Sequence, residues 1–288
     1  MTLASTAELV ERAVARSRAV AAFNVITLEH AEAIVEGATR SGQGVILQFS
    51  QNAVKFHGGN PRPILVGCRE LAAAASVPVS LHLDHIDDPA LIDLGIEIAR
   101  DVGLASIMVD MSKLDYAGNV AATAAATARA HDAGLWVEAE LGEIGGKDGA
   151  HAPGVRTAPD EAAAFVAATG VDGLAVAVGS SHAMRDRSAS IDHDLVTRLA
   201  AAVPVPLVLH GSSGVPDDEL SRAVAAGIRK VNVGTALNLA GMAALRAALA
   251  ADPALVDPRP ATRASRHAMA DVVEHFCGVL ARASTGSA

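Results

Sequence analysis

Short runs of apolar and β-favouring residues recur along the whole 288-residue chain, and helical patterns lie between them. The runs are nearly continuous in apolar character, which is typical of strands that are covered on both faces. They are AVAAFNV (19–25), GVILQFS (44–50), VPVSLHLDH (77–85), SIMVD (106–110), LWVEAELG (135–142), GLAVAVGSSH (173–182), PLVLHGSSG (206–214) and KVNVGT (230–235). Eight β-then-α units over roughly 235 residues predict an α/β protein of the closed (β/α)8 type, a TIM barrel.

The segments between the runs carry the start and stop signals of helices. Asp88-Pro89 and Pro216-Asp217 are suited to helix N-termini. Several of the periodic segments end in the usual stop residue, at Gly103, Gly134, Gly170 and Gly227. The pattern therefore predicts a helix after most of the strands.

Two further helices are expected at the ends of the chain. A helix near residues 5–17 would cover the bottom of the barrel, and an extra helix would occupy about residues 262–283. Because no Pro/Gly/Ser-rich linker divides the chain, the sequence predicts one barrel domain over residues 1–288. An open doubly wound sheet is the alternative, since the order of the strands is not visible in a sequence.

Composition and charge narrow the range of partners. Hydrophobic residues make up 51% of the chain and aromatic residues only 2%, so the core must be aliphatic. The formal net charge of −9 argues against a nucleic-acid partner or an anionic membrane. It does not argue against a phosphorylated substrate, because a local site can be positive on an acidic protein.

The cysteines and the N-terminus predict a cytoplasmic protein. Cys68 and Cys277 are too few for a disulfide framework and lack metal-ligand spacing, so we expect reduced thiols. Glu8 and Glu11 interrupt the N-terminal segment, which predicts an amphipathic helix rather than a signal peptide. No segment reaches the roughly 18 uncharged apolar residues of a membrane span.

Polar residues stand where the predicted strands end, which is where barrels of this type carry their chemistry. His85, His182 and His210 follow the third, sixth and seventh strands. Taken singly, a histidine is more often structural, but three neutral imidazoles on one rim favour a catalytic zinc site. The other histidines lack this placement, except that His82 shares a strand face with Asp84 and has either a supporting or a structural role.

Asp84 precedes a predicted metal ligand and has two interpretations. A carboxylate beside Zn²⁺ can donate and accept protons. It can equally orient the neighbouring His85. The spacing alone does not separate these interpretations.

The turns after the seventh and eighth runs, HGSSG and NVGT, predict a phosphate site. The loops after these two strands are the common phosphate cradle of TIM barrels, and their glycines expose backbone N–H groups. The residues therefore indicate a zinc lyase or hydrolase that acts on a small phosphorylated molecule. Zinc beside a phosphate site and one carboxylate is suited to polarising a ketone and stabilising an enediolate.

Five motifs together carry a specific resemblance: HLDH, VEAELGEIGGKDG, VAVGSSH, LVLHGSSG and KVNVGT. From AFNV to the C-terminal helix, the chain resembles the class II, metal-dependent ketose-bisphosphate aldolases, which include fructose- and tagatose-bisphosphate aldolases. The resemblance implies a dimeric or tetrameric TIM barrel that reversibly cleaves a ketose 1,6-bisphosphate. The implied products are dihydroxyacetone phosphate and a three-carbon aldehyde phosphate, formed through a zinc-stabilised enediolate.

The resemblance also assigns the site residues. It implies one Zn²⁺ per subunit on His85, His182 and His210, with Asp84 as the acid/base that takes the proton of the C4 hydroxyl in cleavage. A monovalent cation, Na⁺ or K⁺, is implied near the phosphate. The implied contacts with the dihydroxyacetone phosphate part of the substrate come from Gly211, Ser213, Asn232, Gly234, Thr235 and the backbone of Ala183, with Asn232 orienting the enediolate.

Three residues match positions at the far end of the substrate. Asn24 and Ser50 match residues that face the second phosphate. Arg263 aligns with an arginine that reaches this phosphate from the neighbouring subunit, and a guanidinium is suited to that task. The alternative for Arg263 is a solvated residue of the terminal helix.

Asp110 and Glu140 match residues that can bind a displaced or second cation, although buried strand carboxylates also serve as anchors for metal ligands.

The sequence departs from the family in three places. Lys147-Asp148 stands where fructose-type relatives have two glutamates, which leaves Asp148, with its shorter side chain, as the candidate for moving the proton at C3. Ala183 replaces a glycine, and the aromatic residue that often precedes Arg263 is missing.

Substrate identity remains the open question at the level of sequence. The segment QFS and Arg263 favour fructose 1,6-bisphosphate, whereas the same mechanism could act on tagatose 1,6-bisphosphate or another 1-phosphorylated ketose. A non-catalytic barrel that binds a sugar phosphate would be expected to lose Asp84 or a ligand histidine, and all four are present. A two-metal hydrolase would require more ligands than this rim offers.

Overall fold

The computed structural model describes residues 3–141, 156–180 and 186–282. Eight parallel strands close into a barrel in chain order, with β1 paired to β8. The strands are β1 (Val20–Asn24), β2 (Val45–Ser50), β3 (Val79–Ile86), β4 (Ser106–Val109), β5 (Trp136–Glu140), β6 (Gly173–Ala175), β7 (Leu207–Leu209) and β8 (Ile228–Val233). The prediction of a closed barrel rather than an open sheet is thus confirmed.

Helices alternate with the strands and surround the barrel. Those in the described ranges are α1 (Thr6–Ala15), α2 (Leu28–Ser41), α3 (Gln51–Phe56), α4 (Arg62–Ala74), α5 (Pro89–Val102), α6 (Tyr116–Asp132), α7 (Pro159–Thr169), α8 (His193–Ala202), α9 (Asp217–Ala226), α10 (Thr235–Ala251) and α11 (Arg259–Ala281). None of these helices combines the length and the apolar character that crossing a membrane would require.

The predicted start and stop residues occupy their expected places. The side chain of Asp88 caps α5 by accepting a hydrogen bond from the backbone N–H of Ala90, and Pro89 follows at the first helical position. Gly103 ends this helix with φ of 72°, a left-handed conformation in which an L side chain is strained. Local chemistry therefore sets both ends of this helix.

The strands β6 and β7 are shorter than the apolar runs that predicted them. The chain leaves the sheet after Ala175 and after Leu209, and the residues that follow turn over the mouth of the barrel. The hydroxyl of Ser180 donates to the carbonyl of His210 at 2.6 Å, which ties the two turns together. The polar ends of these runs thus belong to the rim and not to the sheet.

The lower end of the barrel is closed by α1, as expected. Leu9 and Val10 of this helix join the apolar cluster inside the barrel with Ile46 and Val208. The hydroxyl of Thr6 bonds to Ser80 at 2.6 Å and to Ser106 at 2.5 Å, and all three side chains are buried. The barrel interior therefore combines an apolar floor with buried polar groups.

Candidate active site

A bulge in β3 directs two adjacent residues into the barrel mouth. In a regular strand, Asp84 and His85 would point to opposite faces. Here the pairing with β4 shifts register between Leu83 and Ile86, and His85 has φ of 52°. A non-glycine residue in this conformation costs on the order of 1–3 kcal/mol, and such strain is typical of functional sites. Both side chains face the cavity described below.

The bulge brings His85 against His210 from the end of β7. Their ring centroids lie 4.7 Å apart, and both side chains are buried. One potential ligand atom from each of Asp84, His85 and His210 lies within 4.8 Å of the others. Two of the three predicted zinc ligands are therefore neighbours. The third, His182, lies outside the described residues.

Buried carboxylates set the orientation of both imidazoles. Nδ1 of His85 lies 2.8 Å from Oδ2 of Asp110, and Nε2 of His210 lies 2.8 Å from Oε1 of Glu138. A carboxylate bonded to one ring nitrogen favours the tautomer whose lone pair is on the other nitrogen. The tautomers favoured are thus the ones in which Nε2 of His85 and Nδ1 of His210 can donate to a metal, so this donor set fits zinc.

A second group of potential ligands adjoins the first. His85, Asp110 and Glu140 each offer a ligand atom within 4.8 Å of the others, and all three are buried. Asp110 also accepts a hydrogen bond from the hydroxyl of Ser112 at 2.5 Å. The geometry is compatible with an anchoring carboxylate and with a second cation site, and the cation site stays a prediction.

The environment of Asp84 favours the ionised carboxylate. Burial by itself raises the pKa of this group, but its electrostatic interactions with His85, His210, His82 and Lys230 outweigh burial, and the net pKa is lowered. Nδ2 of Asn232 donates to Oδ1 of Asp84 at 3.4 Å. Asp84 is therefore present as a proton acceptor beside the predicted metal ligands.

A cavity of about 430 Å³ opens above these side chains, which is a size suited to a small phosphorylated molecule. The predicted site residues that line it are Asn24, Ser50, Asp84, His85, Gly211, Ser213, Asn232, Gly234 and Thr235. The other described residues that line it are Ile26, Gln48, Asn52, Ala53, Phe56 and Asn238. The two predicted phosphate turns, the far-end residues Asn24 and Ser50, and Asp84 with the metal ligand His85 thus face one space.

The phosphate turns have the backbone that the sequence predicts. Gly211 adopts φ of 66°, and a Cβ on Gly234 would lie 2.8 Å from Oδ1 of Asn24, so neither position suits a larger residue. The hydroxyl of Ser213 accepts from the backbone N–H of Ala236 at 3.1 Å, in the first turn of α10. An anion in this corner would therefore meet a helix N-terminus and glycine backbone.

Seven predicted residues are not among the described residues that line this cavity. Three of them, His210, Asp110 and Glu140, are buried close to His85. Asp148 lies in residues 142–155, and His182 and Ala183 lie in residues 181–185, which are outside the described residues. Arg263 is exposed on α11. Because the predicted role of Arg263 involves a neighbouring subunit, that role stays a prediction.

Lys230 and Glu138 were missed by the sequence analysis. Both are fully buried inside the barrel. Lys230 lies two residues before Asn232 on β8, and Glu138 lies two residues before Glu140 on β5. The signal was available, because K-x-N in β8 and E-x-E in β5 place polar residues at alternate positions, as H-x-D does in β3. Residues two apart on a strand share a face, so each pair had to lie inside the barrel together.

Comparisons with known proteins agree with this geometry. Residues 4–285 match the family described as fructose-bisphosphate aldolase class-II. The chain is 30% identical to the YdjI aldolase of Escherichia coli K12, covering 96% of this chain and 97% of that one, with a TM-score of 0.82. It is 30% identical to a putative fructose-1,6-bisphosphate aldolase of Coccidioides immitis, covering 96% and 95%, with a TM-score of 0.85. The fold also matches a fructose-bisphosphate aldolase of Campylobacter jejuni, at 23% identity over 96% and 95% with a TM-score of 0.82. The chain belongs to the class II fructose-bisphosphate aldolase family.

Proposed function

We propose that this aldolase reversibly cleaves a ketose 1,6-bisphosphate, with fructose 1,6-bisphosphate as the first candidate. The products are dihydroxyacetone phosphate and an aldehyde phosphate. The observation that carries the proposal is the meeting of Asp84, His85 and His210 within 4.8 Å, at a cavity that also contains both phosphate turns. A sugar phosphate bound there would place its carbon chain against the three side chains.

The donor set supports one zinc ion held by His85, His210 and, as the third ligand, His182. Asp110 and Glu138 would hold the first two imidazoles in the tautomers that bind metal. When bound, zinc supplies a Lewis acid for the ketose carbonyl and for the negative charge that develops on cleavage. With zinc bound, the same site would polarise a carbonyl in the condensation direction.

Asp84 carries the proton of the C4 hydroxyl. Its lowered pKa keeps it ionised, so it accepts this proton in cleavage and returns it in condensation. Asn232 donates to the same carboxylate and lines the cavity, so its amide can orient both Asp84 and the substrate oxygens. The proton at C3 is assigned to Asp148 as a proposal from the sequence.

The two turns hold the phosphate of the dihydroxyacetone phosphate part. Gly211, Ser213, Gly234 and Thr235 offer backbone and hydroxyl donors on one side of the cavity. Because the N-terminus of α10 also borders this side of the cavity at Gly234 and Thr235, its helix dipole would help to stabilise a dianion without a lysine or arginine from the described residues of the cavity wall.

One observation favours a second candidate, a ketose that has a phosphate only at C1. The far part of the cavity is lined by Ile26, Asn52, Phe56 and Asn238, and no lysine or arginine is among the described residues of its wall. An uncharged tail would fit this wall, whereas a second phosphate would need Arg263 of a neighbouring subunit. Tagatose 1,6-bisphosphate is the third candidate, because no named residue decides the configuration at C4.

The test is a cleavage assay with added Zn²⁺ on fructose 1,6-bisphosphate, tagatose 1,6-bisphosphate and fructose 1-phosphate. The first candidate predicts the highest kcat/KM on fructose 1,6-bisphosphate, and Arg263→Ala then raises the KM of the bisphosphate but not that of fructose 1-phosphate. The second candidate predicts the reverse preference and no effect of Arg263→Ala. EDTA should abolish activity, and covalent trapping by borohydride with substrate would contradict the zinc mechanism.

Other expectations from the sequence stay predictions. They are a single domain over residues 1–288, a homodimer or homotetramer, a monovalent cation beside the phosphate and a cytoplasmic location. Of these, the oligomer bears directly on the site, because the role of Arg263 depends on it. Sedimentation of the purified protein would give the number of subunits.

A further inference from the structure

A buried ion pair lies inside the barrel beneath the site. Nζ of Lys230 is 2.8 Å from Oε2 of Glu138, and both side chains are fully buried. The same ammonium donates to Oδ1 of Asn232 at 2.7 Å. Lys230 thus joins two residues that each contact a proposed reacting or metal-binding group.

The ion pair is a poor device for stability alone. Removing two charges from water costs several kcal/mol per ion, and well-packed apolar residues of similar volume are often no less stable. The pair instead contacts two residues of the candidate site, Asn232 through Lys230 and His210 through Glu138. Asn232 donates to Asp84 at 3.4 Å, and Glu138 lies 2.8 Å from the imidazole of His210.

Lys230 determines which way the Asn232 amide faces. An ammonium has only donors, so it must meet the amide through Oδ1. The NH₂ group of Asn232 is then directed to Asp84, which accepts only when ionised. Without the ammonium the amide could turn over, and its carbonyl would then repel the carboxylate of Asp84.

We propose that Lys230 is a positioning residue for the aldol reaction, because its ammonium fixes the Asn232 amide with its NH₂ group toward Asp84 and the substrate. Glu138 holds the ammonium in place from the side of His210. The inference rests on the proposed function for its kinetic test, since Asn232 and Asp84 act there on the substrate. Lys230 itself does not touch the substrate.

The first test is a double-mutant cycle of Lys230→Met and Asn232→Ala, with kcat and KM measured at saturating Zn²⁺. Lys230→Met should lower kcat by about 100-fold, the usual effect of a misplaced group, and change KM by less than about threefold. In the Asn232→Ala background it should lower kcat by less than about threefold, because no amide remains to be oriented. Equal losses in both backgrounds would overturn the inference.

A matched control removes a lysine that has no contact with this network. Lys55 is exposed on α3, and Lys55→Met is expected to leave kcat and KM unchanged. A loss in this control equal to that of Lys230→Met would mean that the kinetic effect is not specific to the buried ammonium, which would count against the proposal.

Folding is separated from positioning by a second variant. Lys230→Met leaves the buried Glu138 without its counterion, so Tm should fall. Lys230→Met/Glu138→Gln removes that charge and should restore most of the Tm, while kcat stays below that of Glu138→Gln alone at matched zinc content. Recovery of kcat together with Tm would show a merely structural role.

The inference can fail independently of the proposed function. If the wild-type enzyme cleaves none of the phosphorylated ketoses, the proposed function is wrong. The contact can still be tested in the metal-free protein, where Lys230→Met should lower Tm less in the Asn232→Ala background than in the wild type. Equal Tm shifts in both backgrounds would overturn the orientation of Asn232 by Lys230.

Discussion

At the scale of single residues, different contacts suit the adjacent residues Asp84 and His85 to different roles. The bulge in β3 turns both Asp84 and His85 toward one cavity, and their roles then differ by partner. His85 is oriented by Asp110, whereas Asp84 lies beside Asn232 and keeps a lowered pKa. The sequence places these groups together, but only the backbone at His85 shows that both face the site.

Removal of Asp84 should separate metal binding from turnover. We expect Asp84→Ala to retain zinc, because His85 and His210 keep their carboxylate partners. The loss of the proton acceptor should lower kcat by about 10²–10⁴-fold. Metal analysis of the purified variant and a cleavage assay measure the two effects. Full activity in Asp84→Ala would remove this residue from the mechanism.

His82 should make stability depend on pH. Burial, reinforced by Lys230, lowers the pKa of this imidazole to about 3, although Glu138 and Asp84 act in the opposite direction. Below about pH 6.5 this histidine binds a proton in the unfolded chain but not in the folded chain. The free energy of unfolding should therefore decrease by about 1.4 kcal/mol for each unit by which the pH is lowered between about 6.5 and 3.

The replacement His82→Asn isolates this contribution. Asparagine can still bond to Ser106, which lies 2.8 Å from Nδ1 of the histidine. Urea unfolding of both proteins between about pH 6 and pH 4 should show a shallower slope for the variant, by about 1.4 kcal/mol per unit. Parallel slopes would mean that His82 is not held neutral in the folded protein.

At the scale of elements, hydrophobic runs and turn residues predict the barrel well. The capped ends of α5 follow from Asp88, Pro89 and Gly103, whose effects are local. The predicted strands β6 and β7 extend beyond the observed ones. The polar residues that follow them form hydrogen bonds between turns, and such contacts are not visible in the order of residues along the chain. The ion pair of Lys230 and Glu138 was also missed. The strands β5 and β8 are not neighbours in the sheet, so these two side chains meet only inside the closed barrel.

The contact between α2 and α11 depends on a glycine. A Cβ on Gly37 would lie 2.4 Å from the carbonyl oxygen of Ala270 and 2.6 Å from Cβ of Val273. Because both partners belong to the packed face of α11, Gly37→Ala should force the helices apart and lower the free energy of unfolding by about 1–3 kcal/mol. Urea denaturation measures the change.

A matched control is available on α11. Gly278 lies in this helix, and a Cβ there would have no heavy atom within 4 Å, leaving out the helix's own neighbouring backbone. Gly278→Ala should therefore be neutral or stabilise the protein by up to about 1 kcal/mol through helix propensity. A loss of stability in Gly278→Ala as large as that in Gly37→Ala would contradict the packing argument.

At the scale of the whole molecule, barrel closure gathers groups that are distant in sequence. Asp84 of β3, His210 after β7 and Asn232 of β8 meet at one mouth, and Glu138 of β5 contacts His210 from inside the barrel. The pair of His210 and Glu138 spans 72 positions of sequence. The proposed metal ligands His85 and His210 are therefore held by different parts of the fold, so metal binding and folding should be coupled.

This coupling predicts a zinc-dependent Tm. A ligand that binds only the folded chain stabilises it by about 2.7 kcal/mol at a concentration of 100 times Kd, so micromolar Zn²⁺ should raise the Tm of the EDTA-treated protein by several degrees. His210→Ala should abolish most of this rise, because one ligand is gone, whereas His131→Ala, at an exposed histidine paired with Asp172 on the barrel's outer surface, should keep it. An equal rise in His210→Ala would show that the ion binds elsewhere, and the assignment of the barrel mouth as the metal site would then be wrong.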